Sequence, residues 1–220
     1  AIIDLNGGQQ PMTSLDGRLS LVFNGEIYNY VELRGELASL GHLAQDESDS
    51  AVILQAYHAW GEAGIERLHG MFALAIHDRG QDSLLLARDR LGIKPLFLTE
   101  TPHGLAFASE IKALLPFLPR RPEVDAQGLA EYFQSQFASG RRTTFRGIQR
   151  LLPGKCLRVA NDGSQRRWHY WSALDITPTP MDYPEAEARF DALMEQVMRE
   201  HMRADVPFGL FLSGGVDSAI

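Results

Sequence analysis

The carboxyl end of the chain holds the segment that most restricts its fold. Residues 206–220 read VPFGLFLSGGVDSAI, an apolar run followed at once by Ser213-Gly214-Gly215-Val216-Asp217-Ser218. An apolar run bounded by glycines predicts a buried strand, most often in a parallel sheet, that feeds a loop. Two glycines let the backbone approach a ligand closely, and flanking hydroxyls and amides suit phosphate oxygens. A helix following the loop would add positive potential at its N-terminus. The order has neither the lysine nor the spacing of a Walker A loop. A tight strand-to-helix turn would satisfy Ser-Gly-Gly alone. Strand, loop and acidic residue in this order favour nucleotide binding.

With 220 residues the chain has room for one large domain or two small ones. Its 45% hydrophobic and 22% charged residues describe a globular chain with a real core. A net charge of -7 argues against a nucleic-acid-binding surface. One cysteine, Cys156, excludes an internal disulfide framework and fits a reducing compartment. No apolar stretch is long enough to span a bilayer and no charged-then-apolar leader opens the chain, so the expected location is the cytoplasm. Ala1-Ile2-Ile3-Asp4 already has mid-strand character, and the chain ends just after its glycine loop. These ends read as those of an internal fragment of a larger enzyme.

The first part alternates short β-like runs with two helical patterns. Leu19 to Phe23 predicts a strand leading into Asn24-Gly25. From Asn29, the spacing of Val31, Leu33, Leu37 and Leu40 predicts a helix stopped by Gly41. Ser48 or Asp49 suits the cap of a second helix carrying Val52, Ile53, Ala56, Tyr57 and Trp60. Residues 71–78 and 83–89 predict an antiparallel strand pair, as do the runs on either side of Pro102-His103-Gly104. Their near-continuous apolar character suggests sheets covered on both faces. A helix is expected from Asp125 to about Phe137, with Leu129, Tyr132, Phe133 and Phe137 at core spacing. KCLRVA and QRRWHYW face each other across Asn161-Asp162-Gly163, a hairpin signal. Residues 172–183 contain two prolines and no periodicity and read as a linker, followed by a helix opening at Pro184 and reaching about Arg203.

Asn24-Gly25-Glu26 has two readings. Asn-Gly is the strongest two-residue turn signal, so a hairpin turn is the simpler one. Chemically, an Asn amide beside a Gly N–H makes a pair of donors for an oxyanion. Glu26 offers a carboxylate to an ammonium group.

The blocks FNGEIYNYVELRGEL, SDSAVIL, LHGMFALAIHD, ARDRLGIKPLF and FASEIKAL, in this order and spacing, resemble glutamine-hydrolysing asparagine synthetases. The segment ADVPFGLFLSGGVDSAI resembles the start of their synthetase domain. The resemblance covers nearly the whole chain. It implies an N-terminal-nucleophile-type α/β/β/α antiparallel sandwich over residues 1–171, a linker over 172–183, and the start of a parallel α/β nucleotide-binding domain over 184–220. Asn24 and Gly25 match the family's oxyanion pair, and Glu26 and Asp49 match acidic positions that hold the glutamine α-amino group. Ile2 and Ile3 match a strand lining the glutamine pocket. Leu212 matches a nucleotide-contacting position, and Ser213, Gly214, Gly215, Asp217 and Ser218 belong to the matching pyrophosphate loop. Glutamine, aspartate and ATP are the implied substrates. Mg2+ is implied by the ATP chemistry, with Asp217 as its candidate ligand. No nucleic-acid or membrane partner is expected, and a homodimer is compatible with the resemblance.

The departures from the family pattern are as telling. Its nucleophile is an amino-terminal cysteine, whereas Ala1 lies in a segment matching an internal strand, and an arginine expected shortly before that strand is missing. Cys156 sits in LPGKCLRV, far from the glutaminase blocks, and reads as a packed structural thiol. Arg88-Asp89 and Ser109-Glu110 fall in family-like blocks, where an ion pair or turn explains them at least as well as catalysis. A relative that amidates another carboxylate, such as a sugar acid, a peptide or an antibiotic precursor, remains an alternative. A first domain that is a non-catalytic scaffold is the rival of another class.

Overall fold

In the computed structural model the described residues are 3–4, 7–43, 46–137, 140–207, 209 and 213–216. The strands are β1 (Met12–Thr13), β2 (Leu19–Ile27), β3 (Gly70–Asp78), β4 (Ser83–Arg88), β5 (Phe97–Thr101), β6 (Gly104–Ala108), β7 (Ile148–Arg150), β8 (Lys155–Ala160) and β9 (Gln165–His169). The helices are α1 (Tyr30–Ser39), α2 (Asp49–Trp60), α3 (Ile111–Leu114), α4 (Ala126–Ser135) and α5 (Tyr183–His201). A six-stranded antiparallel sheet runs β1-β2-β3-β4-β8-β9, and a three-stranded one runs β6-β5-β7.

The period of two along a strand builds two separate cores. Leu19, Leu21, Ile27, Phe72, Leu74, Ile76, Leu85 and Cys156 face one way and bury against Leu33 and Leu37 of α1 and Val52, Ile53, Ala56 and Tyr57 of α2. Ala73, Ala75, Leu86 and Leu157 face the other way and meet Leu96, Leu98 and Leu151 in front of the small sheet. Helix α3 packs on β5 and β6. The layers are therefore helix, sheet, sheet and helix. A strand covered on both sides needs a continuous apolar run, which is why Phe72–Ile76 has no alternating pattern. Truncating a fully buried leucine such as Leu21 or Leu37 to alanine costs about 2–5 kcal/mol.

Local signals decide the ends of the elements. The Ser48 side chain accepts from the Ala51 amide at 3.1 Å and caps α2, so Asp49 is the first helical residue and not the cap. Asp182 caps α5 by accepting from Glu185 N at 2.9 Å, with Pro184 in the first turn as expected. Buried Asp78 closes the β3–β4 turn, accepting from Arg18 Nε at 2.9 Å, Arg18 Nη2 at 2.7 Å and the Gly80 amide at 2.9 Å.

Three expectations are corrected. Strand β2 does not stop at Phe23; it continues through Asn24 and Gly25 to Ile27, so Asn-Gly is not a hairpin turn here. Facing strand β3 supplies nine register partners, Leu19↔Asp78 through Ile27↔Gly70, and this pairing overrides the local turn preference. In α1 only Leu33 and Leu37 are buried, while Val31 and Leu40 are exposed. In α4 the apolar spacing does not mark a core face: Tyr132, Phe133 and Phe137 are exposed, and the helix is seated instead by Gly128, whose absent side chain admits the Thr143 carbonyl. The strand expected over 206–212 falls largely outside the described residues.

Candidate functional site

The outer edge of β2 forms one wall of the site. Successive residues of an antiparallel strand turn their amides alternately to either side. Both main-chain groups of Phe72 are used on the β4 side: its carbonyl accepts from Asp89 N at 2.8 Å and its amide donates to Asp89 Oδ2 at 3.1 Å. Gly25 is the register partner of Phe72, so it forms a non-hydrogen-bonded pair with β3 and turns its own N–H to the outer edge. Along that edge Ser14 N donates to the Leu19 carbonyl at 2.9 Å. The Gln10 carboxamide then takes the place of a strand, accepting from Phe23 N at 2.6 Å and donating to the Phe23 carbonyl at 2.7 Å. Beyond it, Asp49 Oδ2 accepts from Ile27 N at 3.1 Å. Between these two side chains the Gly25 amide faces a cavity of about 250 Å³.

Gln10, Asn24, Gly25, Asp49, Ser50 and Lys94 are among the residues lining that cavity. Asn24 also borders a second cavity, of about 230 Å³, between the sheets, and donates one amide hydrogen to Ser109 Oγ at 3.0 Å. Gly25 has a φ of +154°, and a Cβ there would lie 2.0 Å from the Met71 carbonyl oxygen and 2.7 Å from Phe72 Cα. Glycine is required at this position by the closeness of β3.

Two carboxylates lie beside these donors. Glu26 is 8% exposed and Asp49 7%. Burial, and then the neighbouring Asp49 charge, raise the Glu26 carboxyl above its ordinary value, while His201 and Lys94 pull it back. Burial raises Asp49 as well, opposed by the backbone N–H of Ile27. Glu26 is buried but is not among the residues lining the cavity. Two buried, coupled carboxylates favour a bound cation, since a positive group relieves both their desolvation and their mutual repulsion.

The structure thus brings together Asn24, Gly25 and Asp49 at the cavity, with Glu26 electrostatically joined to Asp49. Ile3 is buried but is not among the cavity-lining residues, and Ile2 lies outside the described residues. In the glycine loop Ser213, Gly214 and Gly215 are exposed, with Ser213 Oγ accepting from Gly215 N at 3.3 Å and Gly214 at φ +72°. Leu212, Asp217 and Ser218 lie outside the described residues. Among the described residues no group of three His, Cys, Asp or Glu is placed to hold a metal ion. No described helix is long and apolar enough to cross a membrane.

Cys156 is fully buried in the helix-facing core, and burial pushes its thiol far up, away from the nucleophilic thiolate. Arg88 and Asp89 are scaffold. Asp89, 1% exposed, also accepts from the amides of Leu91 (3.1 Å), Ile93 (2.9 Å) and Lys94 (3.0 Å). The Arg88 guanidinium donates to the carbonyls of Lys94, Gly92 and Leu151. Together they fold the 89–94 loop that presents Lys94 to the cavity. Glu110 makes an exposed pair with Lys112 at 2.7 Å. Sequence reasoning missed Gln10 and Lys94. Gln10 acts by replacing a strand with a side chain, for which no sequence pattern exists, whereas Lys94 stood inside the ARDRLGIKPLF block.

Comparisons with known proteins agree with this architecture. The glutamine amidotransferase domain family matches residues 1–171, and the asparagine synthase family matches residues 189–220. Asparagine synthetase [glutamine-hydrolyzing] 1 of Bacillus subtilis is 38% identical over 220 residues, which cover 100% of this chain and 34% of the relative. Asparagine synthetase [glutamine-hydrolyzing] 3 of the same organism is 36% identical over 222 residues, covering 100% and 36%. Asparagine synthetase B [glutamine-hydrolyzing] of Escherichia coli is 34% identical over 221 residues, covering 100% and 34%. The chain spans about a third of the length of these curated relatives. Among solved structures, the glutamine phosphoribosylpyrophosphate amidotransferase of B. subtilis, complexed with ADP and GMP, superimposes with a TM-score of 0.53 at 20% identity, covering 74% of this chain and 32% of that one. At that identity the likeness concerns the fold, the layered N-terminal-nucleophile sandwich expected from the sequence. With 171 of its 220 residues matched, the chain belongs to the glutamine amidotransferase domain family.

Proposed function

We propose that this chain forms the glutamine site and the start of the ATP site of a glutamine-dependent asparagine synthetase. The division is a glutaminase module over 1–171, a linker over 172–183 and a synthetase module from 184. The observation that carries the reading is the juxtaposition at one cavity of an edge-facing Gly25 amide, Asn24 and the buried Asp49, whose charge is felt by Glu26 outside the lining. An oxyanion donor pair next to an ammonium site fits an amino acid that bears a side-chain carboxamide, and the match to the glutamine amidotransferase domain family favours glutamine over asparagine.

In this reading Asp49, backed by Glu26, binds the α-ammonium group and so fixes the γ-carboxamide against β2. The Gly25 N–H and the second hydrogen of Asn24 Nδ2 then stabilise the negative oxygen that develops when the carboxamide is attacked. Ser109 fixes the Asn24 rotamer through the first hydrogen. These residues supply the oxyanion donors and the ammonium clamp. The attacking thiol is not Cys156. The released ammonia is consumed at the second module, where ATP activates the aspartate carboxylate as an acyl-adenylate and pyrophosphate leaves. Ser213, Gly214, Gly215, Asp217 and Ser218 form the pyrophosphate loop in this scheme, with Leu212 against the nucleotide. The whole protein would act in the cytoplasm, on glutamine, aspartate and ATP.

The test is Asn24→Ala in the full-length enzyme. Glutamine-dependent turnover is expected to fall by about 10²–10³, the usual cost of one oxyanion donor, while ammonia-dependent synthesis persists. Equal losses with glutamine and ammonia would reject the assignment.

A further inference from the structure

Resting on the glutamine reading, we propose that Arg203 and Asp205, just past the end of α5, form a clasp through which the second module positions the glutamine cavity of the first. Arg203 grips the wall that follows β2. Its Nη1 donates to the Tyr28 carbonyl at 2.9 Å and to Glu32 Oε2 at 2.7 Å, and its Nη2 donates to Glu32 Oε1 at 2.6 Å. Tyr28 stands two residues after Glu26, and its ring lies 3.7 Å, centroid to centroid, from that of His201 in the last turn of α5. Asp205 grips the opposite wall, with Oδ2 accepting from Asp4 N at 2.8 Å.

Asp4 in turn spreads that contact around the cavity. Its Oδ1 accepts from Gly7 N at 2.8 Å, and its carbonyl accepts from Gly8 N at 2.9 Å, Gly8 being a lining residue. Its Oδ2 accepts from Glu47 N at 3.3 Å, two positions before Asp49. One three-residue segment therefore holds the segment leading to Gly8, the segment leading to Asp49 and the segment following Glu26.

Stability is a poor explanation for these contacts. Glu32 is about half exposed, and ion pairs of that kind contribute little. What a bidentate guanidinium does supply is a fixed direction, here from α5 to the main chain beside the carboxylate pair. The pair is well matched: hydrogen bonding to Arg203 holds the Glu32 carboxyl below its ordinary value, and the Glu32 bond raises Arg203. On the other side of the clasp Ser213 follows Asp205 by eight positions, so the glycine loop and the glutamine cavity are joined by one short tether. Arg203 and Asp205 act as positioning residues, since neither is among the residues lining the cavity.

The experiment uses the full-length enzyme with Arg203→Met, Glu32→Gln and the double variant. With glutamine as nitrogen source, glutamate and pyrophosphate are measured together, beside ammonia-dependent pyrophosphate release. Arg203→Met is expected to raise the ratio of glutamate to pyrophosphate roughly fivefold or more, the lower end of ordinary coupling between sites, and to raise the KM for glutamine. Ammonia-dependent pyrophosphate release stays at the wild-type level. Glu32→Gln, which keeps an acceptor for Arg203 and so retains the fold, shows a smaller effect in the same direction. The double variant is no worse than Arg203→Met, because both changes act through one contact. An unchanged ratio in Arg203→Met, additive effects in the double variant, or equal loss of both half-activities overturns the clasp. Wild-type enzyme that forms no glutamate from glutamine would instead overturn the functional reading itself.

Discussion

Substituting Gly25 by alanine separates two roles that the sequence leaves entangled. Alanine retains the backbone N–H, so a residue needed only as an oxyanion donor should tolerate the change. The geometry says otherwise. A Cβ on residue 25 would sit 2.0 Å from the Met71 carbonyl oxygen, where ordinary contact begins near 3.4 Å, so β2 and β3 must separate by 3.4 − 2.0 = 1.4 Å at this rung. Both colliding groups are main chain, so no side-chain rotation relieves the clash. Overpacking of this kind costs about 1–3 kcal/mol. A φ of +154° is also essentially closed to residues with a Cβ, and this strain adds about 1–3 kcal/mol. A mid-range loss of about 4 kcal/mol lowers Tm by roughly 8–16 °C in a protein of this size. Gly35→Ala is the control: it lies within α1 with nothing within 4 Å of its Cβ site, and should gain roughly 0.5–1 kcal/mol. The assay is thermal unfolding of both variants followed by circular dichroism. A Gly25→Ala protein melting within a degree or two of wild type would refute the steric reasoning and leave only the donor role.

Other outcomes follow from the same geometry. Glu26→Gln should raise Tm at alkaline pH, because burial and the Asp49 charge make ionisation of the wild-type carboxyl costly to stability. That cost is relieved as pH falls through the raised native value, so the two melting curves should converge at acid pH, and a constant gap would contradict the assignment. Ser48→Ala should cost about 1 kcal/mol through loss of the α2 cap. Asp49→Asn should weaken glutamine binding, and unaltered affinity measured by calorimetry would remove Asp49 from the ammonium site. The Cys156 thiol should react with an alkylating reagent only as fast as the protein opens, so a rate independent of mild denaturant would contradict its burial.

Much of the architecture was legible because its signals are local or periodic. The runs at 71–78 and 83–88 have continuous apolar stretches and meet across a short turn, and the Asn161-Asp162-Gly163 hairpin declared itself in three residues. What escaped was decided by neighbours distant in sequence. Asn24-Gly25 has turn chemistry, yet it is held in a strand by a partner nearly fifty residues away. The aromatic residues of α4 have the spacing of a core face and are exposed, with Phe133 at 75%, because spacing reveals which residues share a side and not what lies against that side. At the candidate site, residue chemistry and resemblance point to Asn24, Gly25 and Asp49, which the structure brings to one cavity. The roles of Gln10 and of Asp89 as an organiser of backbone amides depend on three-dimensional placement that no spacing encodes.

The way β2 presents its outer edge limits how the chain can vary. Leu19, Phe23, Gly25 and Ile27 share one parity, and only that parity turns an amide or carbonyl toward Ser14, Gln10, the cavity and Asp49. Inserting or deleting one residue between Leu19 and Gly25 would invert the strand beyond that point. The donor at position 25 would then point into β3, and the Asn side chain would move from the gap between the sheets to the helix-facing core. A change of two residues would restore both orientations, and a bulge could absorb an odd one. Length in this segment is thus counted in twos, a constraint carried by the spacing of the strand and by no individual side chain.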